Sequence, residues 1–89
     1  MLMGTLKETL VFKQDDNVGS HRYEIYKNDS KGGYFAVIYM QKNVIADGSF
    51  FITWVIENSH HDLRSHYIPN ARMECESHWK DNYLAVKLL

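Results

Sequence analysis

The sequence predicts an α+β domain built mainly from antiparallel strands: a curved sheet or partly open barrel of about six strands, with one short helix between the fourth and fifth. Three observations carry this. Turn-forming clusters punctuate the chain at short, fairly regular intervals. The runs between them are aromatic and β-branched, which suits a pleated, half-buried surface. One later segment, around Ser59–Tyr67, breaks the strand pattern and carries helix-start chemistry.

The turn clusters are Asp15-Asp16-Asn17-Val18-Gly19, Asn28-Asp29-Ser30-Lys31-Gly32-Gly33, Asp47-Gly48 and Asp81-Asn82. Each supplies glycine, or an Asx side chain that caps its own turn. The first expected strand is Thr9–Lys13 and the second Arg22–Lys27, with Tyr23 and Ile25 on one face and Glu24 on the other. Tyr34–Met40 and, apart from Thr53, Phe50–Ile56 are apolar on both faces. Such strands are normally central, covered from each side. Asp47-Gly48 between these two is a strong signal for a two-residue hairpin.

Ser59-His60-His61-Asp62 has the form of a capping box. It predicts a short helix from His60 to about Tyr67, stopped before Pro69 because a residue preceding proline avoids the helical region. The last segment reads two ways. As a strand, Ala71, Met73, Cys75, Ser77 and Trp79 share one face, and a turn at Asp81-Asn82 sets Trp79 opposite Leu84 and Glu76 opposite Lys87. As a helix over Asn70–Lys80, Ala71, Cys75, His78 and Trp79 form a stripe. The hairpin accounts for apolar and charged positions together and is the preferred reading. In that reading, Trp54 and Trp79 share a single core with Val37, Ile52 and Leu84.

The 89 residues leave room for one domain. Ten basic and eleven acidic side chains give a net charge of −1, with no basic footprint for duplex nucleic acid. Cys75 is the only cysteine, so no internal disulfide holds the fold. No apolar run is long enough to span a bilayer, and Met1–Lys7 lacks the basic-then-apolar order of a signal peptide. The expected location is cytoplasmic.

Three constellations could carry chemistry. His61, His66, Cys75 and His78 are zinc-ligand types, but the hairpin turns Cys75 and His78 to opposite faces, so no metal site is assigned. His60, His61, Arg64 and His66 could serve a metal-independent ribonuclease, one imidazole as base, another as acid and the guanidinium on phosphate. Such enzymes are normally basic, and this chain is not. Tyr23, Tyr26 and Tyr34, flanked by Arg22, Lys27 and Lys31, could stack the bases of a single strand on an OB-like sheet. Phosphate loops, nucleophile elbows and calcium loops are absent from the sequence.

The expectation that results is a small non-enzymatic binding protein, acting by protein–protein contact in the manner of inhibitors and immunity proteins, including those that phages and mobile elements encode. No catalytic residue, cofactor or metal is assigned. The expected contact surface is Arg64, His66 and Tyr67 with His60 and His61, and the alternative is the Tyr23, Tyr26 and Tyr34 face. An exposed edge strand would also allow a homodimer.

Overall fold

In a computed structural model, the described residues are 4–13 and 20–84. They form one four-stranded antiparallel sheet in simple meander order, β1 (Gly4–Phe12), β2 (His21–Asn28), β3 (Tyr34–Ala46) and β4 (Ser49–Asp62). A single helix, α1 (Ile68–Trp79), follows, and the chain continues through a wider π-helical turn over Lys80–Leu84. The antiparallel character and the presence of four strands over the first expected segments match the sequence reading, but β3 and β4 run on to Ala46 and Asp62 instead of stopping at Met40 and Ile56, and Phe50–Ile56, expected to be central, lies on an edge strand. The strand number and the position of the helix do not match it.

Two turns set the register. After β2, the Asn28 side-chain oxygen accepts hydrogen bonds from the Ser30 and Lys31 amides, both at 3.1 Å, which holds the chain in an Asx turn. Between β3 and β4, Asp47 and Gly48 take φ of 52° and 74°, the left-handed pair that a two-residue I′ hairpin requires. Ala46 then pairs with Ser49, and the ladder runs on to Phe35 opposite Asp62.

Alternation divides the sheet into two faces. Tyr23, Ile25, Ala36 and Ile38 point to one side, where Ala71, Cys75 and Trp79 of α1 and Leu63 close over them. Tyr26, Phe35 and Val37 point to the other side, which no described helix or strand covers. There the side chains shield one another. Phe35 is stacked between Tyr26, at 5.4 Å, and His60, at 4.2 Å. Gly4 lies so close that a β-carbon on it would sit 2.7 Å from the Lys27 carbonyl and 2.8 Å from the Phe35 ring.

The structure corrects three expectations. Ala71–Trp79 is helix, not strand, so the Asp81-Asn82 hairpin does not form. Ala71, Cys75 and Trp79 reach the core at helical spacing, while Met73, inward on the strand reading, is exposed. Residues 85–89 of the expected last strand, and the Asp15–Gly19 turn, lie outside the described residues. His60–Asp62 ends β4 instead of starting a helix, because its backbone pairs with Phe35 and Ala36. Finally, Trp79 is buried, but Trp54 is only partly so, Ile52 is exposed, and Val37 belongs to the opposite face. There is no single core around both tryptophans.

Candidate functional site

Strands β3 and β4 are longer than the sheet that supports them. The last β2 partner of β3 is Met40, opposite His21. One further bond, from the Gln41 amide to the Ser20 carbonyl at 3.0 Å, extends that contact. Beyond it, among the described residues, β3 pairs with β4 alone, so residues 42–53 form a two-stranded arm projecting about 20 Å at roughly 3.3 Å per residue. An isolated two-stranded ribbon is marginally stable in water.

The arm carries large apolar side chains on both faces, one continuously apolar from Ile45 and Phe50 to Ile56 apart from Asn43 and Gln41, the other interrupted by Lys42 and Thr53. Its register places Asn43 and Ile45 with Ile52 and Phe50 on one face, in line with Tyr39, Trp54 and Ile56 at its base. On the other face Val44 sits opposite Phe51, then Lys42 opposite Thr53, then Met40 opposite Val55. These side chains are not covered: Ile45 is 70 % exposed, Phe50 69 % and Ile52 65 %. Ile45, Phe50, Ile52 and Ile56 leave roughly 500 Å² of apolar side chain exposed on one face, and Val44 and Phe51 leave roughly 200 Å² on the other, at about 200 Å² for a large side chain in full. The larger of the two is in the upper part of the roughly 300–600 Å² that forms the largest patch on an ordinary monomer, a patch that is often functional. At the arm's root the Arg22 guanidinium lies over the Tyr39 ring at 4.1 Å and the Trp54 ring at 5.2 Å. It also pairs with Glu24 at 3.4 Å. The contact fixes the arm to β2 through a cation–π bridge.

The residues expected to form a contact surface are dispersed. Neighbouring positions on a strand face opposite ways. His60 is on the uncovered face, stacked on Phe35, with its Nε2 2.8 Å from Asp62 Oδ1. His61 points beneath α1, its ring 4.3 Å from that of His78. Arg64, His66 and Tyr67 stand exposed in the connection from β4 to α1, at the far end of β4 from the arm's tip. That connection is held from below. Glu74 on α1 accepts hydrogen bonds from the Arg64 and Ser65 amides and the Ser65 hydroxyl, at 2.9 to 3.1 Å. Burial opposes ionisation of Glu74, but these donors and nearby His61 outweigh it and hold the carboxyl below its usual range.

The alternative face is divided as well. Tyr23 and Tyr34 pack on the helix side and Tyr26 on the other. Sequence reasoning overlooked a different cluster, in which Tyr23, His61 and His78 meet under α1. The Tyr23 hydroxyl is 2.6 Å from His78 Nδ1. Burial raises the Tyr23 pKa, with Tyr83 and Cys75 adding to it, so Tyr23 stays protonated and donates. Burial lowers the His78 pKa, reinforced by His61, so the ring stays neutral and accepts. The pair is a satisfied polar link between sheet and helix, its groups tuned away from proton transfer at neutral pH. Cys75 beside it is fully buried, and burial pushes its thiol up to about 12, leaving it unreactive. Among the described residues, no group of three or more His, Cys, Asp or Glu side chains is arranged to hold a metal ion.

No protein-family model, curated protein or solved structure matches the chain. The arm therefore stands on its own geometry as the candidate site. No helix among the described residues is long and apolar enough to cross a membrane.

Proposed function

We propose that this chain is a small non-enzymatic binding protein that acts by covering a surface on another protein, in the manner of an inhibitor or immunity protein, and that the β3–β4 arm is its contact surface. One observation carries the reading: the arm exposes large apolar side chains on both faces, most of them along the Ile45, Phe50, Ile52 and Ile56 face. The larger face alone exposes roughly 500 Å² of apolar surface, more than half of the about 800 Å² that one partner contributes to a standard interface. Large rigid side chains such as Phe50, Ile52 and Trp54 are the kind that anchor such contacts.

This reading moves the contact surface from Arg64, His66 and Tyr67 to the other end of β4. It also speaks against the two alternatives. Of the imidazoles offered for ribonuclease chemistry, His60 and His61 lie on opposite faces of the sheet and so cannot act together on one phosphate. Of the rings that would stack bases, Tyr23 and Tyr26 are buried, and Tyr26 lies on the opposite face of the sheet from Tyr23 and Tyr34.

The test is affinity capture with wild type and a Phe50→Ser/Ile52→Ser variant, after circular dichroism establishes that the variant folds. Proteins held by wild type and released by the folded variant support the reading. The same proteins held equally by both overturn it.

A further inference from the structure

The two edges of the sheet are not alike. β1 forms one edge and β4 the other. The β1 edge is guarded. It carries a register break between Leu6 and Glu8, the exposed charge of Lys7, and an ion pair from Glu8 to Arg72 of α1 at 3.2 Å. Bulges and charges of this kind are what keep an edge from pairing with another chain. The β4 edge has none of them along Ser49–Ile56, which reads Ser-Phe-Phe-Ile-Thr-Trp-Val-Ile without a charge or a proline. Its two register irregularities lie further along, opposite Ala36–Tyr39.

We infer that the β4 edge of the arm pairs antiparallel with the β4 edge of a second copy of this chain, about a two-fold axis through Thr53. The inference rests on the reading of the arm as a contact surface and names what occupies its edge. The register follows from the side chains. Centring on Thr53 sets Phe50 opposite Ile56 and Ile52 opposite Trp54 on one face, with Phe51 opposite Val55 and Thr53 opposite itself on the other. Every one of these is an aromatic–β-branched or Thr–Thr pair, the combinations that favour cross-strand contact. Moving the axis one residue toward the body sets Phe51 against Glu57; moving it one toward the turn sets Ile56 against Gly48.

Charge permits the pairing. With the axis at Thr53, each Glu57 faces Ser49, and the two Glu57 carboxylates lie about 26 Å apart at 3.3 Å per residue, well beyond the screening length of about 8–10 Å. Two marginal two-stranded arms become one four-stranded ribbon, which is enough strands to be stable. The contact is isologous, so it uses up the bare edge in both copies and closes the assembly at two. The stripes of Phe50, Ile52, Trp54 and Ile56 then lie side by side, and their outward face is a composite surface for a further partner.

The test is sedimentation of wild type, Thr53→Lys and Thr53→Glu at micromolar concentration, each checked for folding by circular dichroism. Wild type is expected at twice the chain mass of 10.5 kDa. Each charged variant places like charges face to face on the axis; Thr53→Lys, beside the Lys42 opposite it on β3, is expected at the single-chain mass, and Thr53→Glu, partly neutralised by that Lys42, is expected to dimerise more weakly than wild type. An equimolar mixture of the two is expected to recover the dimer. A monomeric wild type, a Thr53→Lys variant that remains dimeric, or a mixture that stays monomeric each overturns the pairing. A monomeric wild type that still loses its captured protein through Phe50→Ser/Ile52→Ser would overturn the dimer and leave the binding reading standing.

Discussion

Tyr34–Met40 and Phe50–Ile56 have almost the same composition, apolar on both faces, yet the structure treats them differently. Phe35 through Ile38 are buried, because β2 and β4 flank them and α1 closes one side. Phe50, Phe51, Ile52 and Ile56 are exposed, because β4 is an edge and the sheet ends before the arm does. A strand's composition states how much surface it needs to bury; the neighbours decide whether one chain can do so. In the body the demand is met within the chain, and in the arm it is left for a partner.

The comparison can be broken most forcefully in the body. Trp79→Ala removes a ring that closes α1 onto the sheet, stacks on Phe12 at 5.1 Å and donates its indole N–H to His21 at 3.2 Å. The expected cost is about 3–5 kcal/mol, read by urea unfolding. A loss below about 1 kcal/mol would place Trp79 outside the core. On the uncovered face, Gly4→Ala forces a methyl group into the Lys27 carbonyl and the Phe35 ring. Overpacking of this kind costs about 1–3 kcal/mol. A neutral result in the same unfolding measurement would mean that β1 is not seated over Phe35.

The body should also respond to pH through His78. Its folded pKa lies below the ordinary value of 6.5, so between the two the unfolded chain binds more protons than the folded one. Stability is therefore fully present above pH 6.5 and is lost as the pH falls through the folded value. Glu74, also depressed, extends the loss below its ordinary 4.5. Urea midpoints at stepped pH should fall across the first window in wild type and change less in His78→Gln, and an equal fall in both would remove His78 as the cause. The smallest effect belongs to the arm. At dilutions where the chain is monomeric, Phe50→Ser/Ile52→Ser should shift stability by no more than about 0.5 kcal/mol, because exposed side chains contribute little. A loss of several kcal/mol would show that the arm is part of the folding core.

Much of the sheet was legible because two signals agreed. Alternation set the faces of Arg22–Lys27, and Asp47-Gly48 fixed the hairpin. The helix was misread because Ala71–Trp79 satisfies both periods: Ala71, Cys75 and Trp79 fall on one face of a strand and also on one stripe of a helix. Pro69 in the first turn and the helix-favouring Ala71, Arg72, Met73 and Glu74 were the discriminating signals. The capping box at Ser59 misled for a different reason. Its Asp62 carboxylate bonds the His60 ring, and the Asn58 side chain takes the His60 amide at 2.9 Å. Local capping chemistry was satisfied within a strand that long-range pairing with Phe35 and Ala36 had already set. The arm could be read as apolar but not as exposed, since exposure depends on β2 ending at His21, opposite Met40.

The central claim is that the arm's bare edge is completed by its own copy while the rest of the molecule stays apart. Thr53→Cys tests it directly. Residues facing each other across an antiparallel pair have α-carbons about 4.5–5.5 Å apart, within the reach of a disulfide. Under mild oxidation, Thr53→Cys is expected to convert to a covalent dimer of twice 10.5 kDa, whereas Ser30→Cys, in the turn after β2, stays monomeric. Equal cross-linking at both positions, or none at Thr53→Cys, would contradict the account.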